Sequence, residues 1–158
     1  MSVITPHGVH RIREQISYIT NGAIKDYKAA IEASAERGVN EGNDEYFTLL
    51  HESKKFEDQI TELMKILNES EVLDLPVDNG RIQLGTTVKF RDEDTDKVSE
   101  IHILPEVEVT FLKNAVTPSS PMGSALMGRI AGDVVEFDTP ARSRTLEIID
   151  VKVNPEFF

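Results

Sequence analysis

Between Tyr46 and Leu67 the chain repeats with the period of a helix seam. Tyr46, Leu49, Ser53, Phe56, Ile60, Leu63 and Leu67 step three, four, three, four, three and four residues, with one polar position among seven. A stripe that narrow on a long, charged helix needs a second helix to cover it. The sequence supplies one upstream. Thr5-Pro6 is a capping residue followed by proline at a first helical position. Val9, Ile12, Ile16 and Ile19 then recur at threes and fours, and Ile24, Tyr27 and Ile31 continue the stripe after a one-residue offset. Asn21-Gly22 lies at that offset. Glycine weakens a helix by about 1 kcal/mol relative to alanine, so a kink or register adjustment is expected there rather than an end. Ala29, Ala30, Ala33 and Ala35 let two helices approach closely, and Gly38 is a natural stop. Asn43 suits the N-cap of the second helix, with Asp44 and Glu45 in its first turn. Two such helices joined by a turn of about five residues form an antiparallel hairpin, on the order of 45 Å long. Its tip is the polar stretch Arg37-Gly38-Val39-Asn40-Glu41-Gly42-Asn43-Asp44-Glu45-Tyr46.

The second helix is expected to end near Asn68-Glu69-Ser70, and Leu75-Pro76-Val77-Asp78-Asn79-Gly80 reads as linker and turn. Beyond Gly80 the period falls to two. Arg81–Leu84, Thr87–Phe90, Ile101–Leu104, Val107–Phe111, Val134–Phe137 and Thr145–Val151 read as strands, with a charged turn over Arg91–Lys97. Met122–Met127 suits one or two helical turns ended by Gly128. The fold class is therefore α+β. A helical coiled-coil hairpin over residues 1–75 is followed by a small, mostly antiparallel β domain over residues 76–158, large enough to fold alone.

Charge narrows the function. The chain carries 17 basic and 28 acidic residues, a net charge of −11 spread over both halves. Duplex DNA binding needs a basic face to neutralise phosphates and is not expected; a protein partner with a basic surface is compatible with the charge. With no cysteine, a disulfide framework or thiolate metal site is ruled out. The N-terminal stretch has no basic segment followed by an apolar run, and no window approaches the roughly 18 apolar residues of a membrane span. A cytoplasmic monomer without membrane attachment is expected. His7, His10, His51 and His102 show no ligand spacing, and Asp92-Glu93-Asp94-Thr95-Asp96 lacks the glycine and terminal glutamate of an EF-hand loop.

Four stretches, in order, carry a resemblance to a known family. They are Thr5-Pro6-His7-Gly8-Val9 leading to Gln15-Ile16; Glu32-Ala33 through Gly38, Asn43, Glu45 and Tyr46; Asn79-Gly80-Arg81 leading to Gly85-Thr86-Thr87-Val88; and Ser120-Pro121-Met122-Gly123-Ser124-Ala125-Leu126-Met127-Gly128-Arg129 with Gly132-Asp133 and Thr139-Pro140. Together they resemble the Gre family of bacterial transcript cleavage factors over essentially the whole chain. The resemblance implies that the hairpin enters the secondary channel of bacterial RNA polymerase while an FKBP-like second domain docks at the channel rim. It further implies a factor with no enzymatic activity or cofactor of its own, acting on the Mg²⁺ bound by the polymerase. Arg37, Asn40, Asn43, Ser120 and Pro121 fall at the positions implied to bind RNA polymerase.

The tip departs from the family pattern. The family's aspartate, which helps hold the second catalytic Mg²⁺, falls on Val39, and its glutamate falls on Gly42. Glu41 and Asp44 lie three apart, as the family's pair does, but shifted by two residues. They are the candidates for contact with the polymerase-bound Mg²⁺, since that ion takes hard oxygen ligands and often only one or two carboxylates. Basic positions near the family's tip read Ala35 and Leu50, so contact with the nascent RNA 3′ end is expected to be indirect. Two mechanisms stay open within the family: stimulation of cleavage through Glu41 and Asp44, and occupancy of the channel as a non-cleaving inhibitor. A third reading, from another class, is an FKBP-like peptide-binding module with a helical handle.

Overall fold

The computed structural model describes residues 2–38 and 43–158. They fall into two compact units: a helical one, Val9–Ser70, and one that joins Met1–Gly8 to Glu71–Phe158 and carries the main sheet.

A short strand, β1 (Ser2–Ile4), leads into α1 (Pro6–Tyr18). A π-helical segment, Ile19–Ile24, follows and passes without a break into α2 (Lys25–Ala35). The π turn is the register adjustment expected at Asn21-Gly22. It absorbs one extra residue per turn, which matches the five-residue step from Ile19 to Ile24 in an otherwise three-four stripe. Helix α2 ends where Gly38 takes a φ of 101°, a conformation that costs glycine little. Helix α3 (Asp44–Glu69) is 26 residues long, about 39 Å at 1.5 Å per residue. The two helices run side by side in opposite directions. The Tyr27 hydroxyl donates to Glu52 Oε2 at 2.9 Å, the Tyr27 and Phe56 rings lie 5.4 Å apart, and Ser34 meets Asn43. All seven seam residues of α3 are shielded, Leu63 most fully, while Asp44, Thr48, Lys54, Lys55 and Asp58 face solvent.

In the other unit, β1 pairs with β2 (Ser70–Val72), and the Leu73 amide donates to Ile4 O at 2.8 Å. The main sheet comprises β3 (Thr86–Asp92), β4 (Val98–Ile103), β5 (Ala115–Val116), β6 (Val134–Asp138) and β7 (Ser143–Val153), in the spatial order β5-β4-β3-β7-β6. Only the β4–β5 pair is parallel. Alternation along β3 sends Val88 and Phe90 inward and Lys89 outward. Lys89 pairs with Asp150 but Phe90 pairs with Ile148, a bulge that skips Ile149. The bulge keeps Ile148 and Val151 in the core while leaving Ile149 exposed, and it helps the sheet curl. Helix α4 (Pro121–Leu126) closes the core with Met122 and Leu126 over Val135, Phe137 and Leu146.

Two expected strands are corrected. Val107–Phe111 is a turn followed by a 3₁₀ segment, Val109–Phe111. The cause is Glu108, whose side chain turns inward to the chain's amino end while its amide donates to Pro105 O at 3.0 Å. Arg81–Leu84 makes a single bridge, Arg81 to Ile130, and then a turn closed by Thr86, whose hydroxyl donates to Gln83 O at 2.6 Å. Strands β1, β2 and β5 are too short to show a period.

Candidate functional site

The facing ends of α2 and α3 are tied by one side chain. Asn43 is the N-cap of α3, and its Oδ1 accepts from the Tyr46 amide at 3.2 Å. The same side chain donates from Nδ2 to Ser34 O at 2.9 Å and to Gly38 O at 2.5 Å. Ser34 is fully buried at the last turn of α2. A second tie lies outside it, an exposed ion pair between Arg37 and Glu45. Asp44 sits beside them in the first turn of α3, exposed, where a carboxylate interacts favourably with the helix dipole. The Tyr46 ring packs edge-on against Phe47 at 5.3 Å, and Phe47 and Leu50 stay exposed one and two turns from the cap. Arg37, Asn43 and Asp44 are thus brought together. Asn40 and Glu41, with Val39 and Gly42, lie outside the described residues. Among the described residues, no three His, Cys, Asp or Glu side chains converge in a metal-binding group.

Ser120 and Pro121 belong to the other unit, at the start of α4. Ser120 is the N-cap: its Oγ accepts from the Gly123 amide at 3.0 Å and donates to Thr117 O at 2.8 Å. Pro121 is exposed at the first helical position. Gly123 is required by this packing, because a Cβ there would lie 1.8 Å from Thr117 O. Next to it opens an apolar groove of about 350 Å³, lined by Val3, Leu84, Pro105, Val107 and Pro118. Ser119 at its rim donates to Glu106 at 2.9 Å.

A buried carboxylate holds the amino end of α1, and no strand or helix pattern pointed to it. Glu108, 2% exposed, accepts from the Thr5 amide at 2.8 Å and from the Thr5 hydroxyl. The Thr5 oxygen in turn accepts from the Gly8 amide at 3.1 Å. Gly8 has no Cβ to spare, since one would sit 2.4 Å from the Glu108 carboxyl carbon. Burial pushes the Glu108 pKa up, and the two hydrogen bonds from Thr5 pull against it. The available signal was the Thr5-x-x-Gly8 spacing, which marks a cap but not its distant partner. On the sheet, Asp92 has the opposite character. Its bond to Arg144, 3.0 Å, and the amides of Asp94 and Thr95 hold its carboxyl below the usual range despite burial.

Two family models match in chain order. Residues 2–72 fit the one described as transcription elongation factor, N-terminal, and residues 77–153 fit transcription elongation factor, GreA/GreB, C-terminal. The transcription elongation factor GreA of Magnetococcus marinus is 30% identical over 149 residues, 94% of this chain and 95% of that one. That of Clostridium novyi is 27% identical over 152 residues, covering 96% of each. Among solved structures, GreA factor homolog 1 of Thermus thermophilus aligns over 96% of this chain and 99% of its own, with 22% identity and a TM-score of 0.44.

Proposed function

The chain belongs to the GreA/GreB family of transcription elongation factors, and we propose that it binds bacterial-type RNA polymerase and acts on backtracked complexes through the joined ends of α2 and α3. The helical pair is a coiled-coil hairpin that enters the secondary channel, and the sheet unit, FKBP-like, docks at the channel rim through the α4 start at Ser120 and Pro121. The observation that carries this reading is the match of both family models, in order, over nearly the whole chain. The geometry supports it. An antiparallel pair of helices, of which α3 alone is about 39 Å long, presents a carboxylate, Asp44, at an end held by Asn43. Asp44, and Glu41 within the segment outside the described residues, act toward the polymerase-bound Mg²⁺. The polymerase supplies the chemistry; the factor supplies position and charge. It needs no cofactor and is a factor rather than an enzyme. The GreA relatives favour this reading over a peptide-binding module.

A backtracked elongation complex carrying labelled RNA tests it. The factor should bind the complex and raise the rate of short 3′ fragment release, and Asp44→Ala should lower that rate without loss of binding. Absence of polymerase binding refutes the functional reading. Binding that slows release instead refutes the cleavage mechanism and leaves channel occupancy.

A further inference from the structure

Asn43 performs two tasks with two different atoms. Its oxygen caps α3 at the Tyr46 amide; its nitrogen reaches back to the carbonyls of Ser34 and Gly38 on the other helix. The first task is a property of one helix and is served as well by aspartate or serine. The second needs a donor, and among the usual capping residues only asparagine has one long enough to reach across. The residues it joins are telling. Ser34 is completely buried, so its carbonyl is a fixed point in the pair. Gly38 and Asn43 are the described residues that flank 39–42, so one side chain sets the distance between the two places where that segment begins and ends. Asp44 follows directly. The outer tie, Arg37 to Glu45, is solvent-exposed; such pairs contribute about 0–1 kcal/mol and cannot fix the geometry alone.

We propose that Asn43 is a positioning residue for the factor's action on the polymerase: its Nδ2 donations lock the end of α2 to the start of α3 and so hold the Asp44 carboxylate, on the next residue, in its working direction. This rests on the functional reading above. Asn43 itself touches no reacting atom. Both polar atoms of its side chain are engaged within the chain, so Asn43 takes this internal role in place of the polymerase contact that the family resemblance implies at its position, and its removal should change what the tip does after binding rather than whether the factor binds.

The test compares Asn43→Ser, which keeps a cap and loses the cross-helix donor, with Asn43→Ala, which loses both. Half-saturating concentration and maximal rate of RNA release are measured on the same backtracked complexes, with thermal unfolding of each factor alone. Asn43→Ser should melt near the wild-type temperature and keep its half-saturating concentration within about twofold, while its maximal rate falls about tenfold or more, the loss expected for misplacing a group by a fraction of an ångström to one ångström. Asn43→Ala should add a lowered melting temperature to the same loss of rate. Asn43→Asp, isosteric but without donors, should resemble Asn43→Ser. Full maximal rate in Asn43→Ser, with an active wild type, overturns the positioning role alone. A wild-type factor that neither binds nor alters the complexes overturns the functional reading, and this role with it.

Discussion

Gly22 and Gly123 both lie inside helical segments, yet a methyl group should act on them with opposite sign. At Gly22 an added Cβ has nothing within 4 Å. At Gly123 it would lie 1.8 Å from Thr117 O, 2.7 Å from the carbonyl carbon and 2.9 Å from Ser120 Oγ. A carbon and a carbonyl oxygen settle at about 3.3 Å or more, so the Thr117 carbonyl must retreat by roughly 1.5 Å. That movement breaks the bonds it accepts from the Ser120 amide, 3.2 Å, and the Ser120 hydroxyl, 2.8 Å. Overpacking costs about 1–3 kcal/mol and a loosened cap about 1 kcal/mol; the helical preference of alanine returns about 1 kcal/mol. Gly123→Ala should therefore destabilise the sheet unit by about 1–3 kcal/mol. For a unit of this size, that lowers Tm by roughly 4–24 °C. Gly22→Ala should instead stabilise the helical unit by up to about 1 kcal/mol. Scanning calorimetry of the three proteins in one buffer decides the matter. A Gly123→Ala protein melting within about 2 °C of wild type would refute the claim that Thr117 O is fixed.

Two further predictions follow from the buried carboxylate and the π turn. Because burial raises the Glu108 pKa, its stabilising contribution is fully present below the ordinary glutamate range and is lost as pH rises through the raised folded value. Glu108→Gln does not titrate, so as pH rises above the ordinary glutamate range wild type should lose stability relative to it; urea unfolding at several pH values checks this, and a difference drifting toward wild type refutes it. Deleting Gly22 should restore the four-residue step after Ile19, turn the π segment into α-helix and change stability by less than about 1 kcal/mol. Collapse of the far-ultraviolet helical signal would show that the extra residue is structurally required.

The helical unit was legible because it depends on spacing. The Tyr46–Leu67 seam, the Asn43 cap, the Gly38 stop and even the one-residue offset at Asn21-Gly22 are periodic or local signals, and each has its counterpart in the structure. The strands β3, β4, β6 and β7 were legible for the same reason. Val107–Phe111 misled because its apolar alternation is that of a strand, while Glu108 is drawn inward by Thr5, 103 residues away. No local pattern reports a partner at that distance. At the tip, sequence identified Asn43 as a cap from its oxygen, but its nitrogen's reach to Ser34 and Gly38 depends on how the helices pair. Placing Asp44 against a polymerase-bound ion depends on a second molecule, which lies beyond any single-chain signal.

The union of residues 1–8 with residues 71–158 sets a timetable. Thr5 leaves the ribosome well before Glu108; at synthesis rates of about 5–20 residues per second, roughly 5–20 s separate them. In that interval the helical unit, with mostly local contacts, has ample time to form. The sheet unit cannot close around Ile4 and Thr5, both nearly inaccessible to solvent, until its distant half arrives. Strand β1 and the first turn of α1 are therefore made early and seated late, and until Glu108 arrives they stay open to a chaperone or to mispairing with another nascent strand.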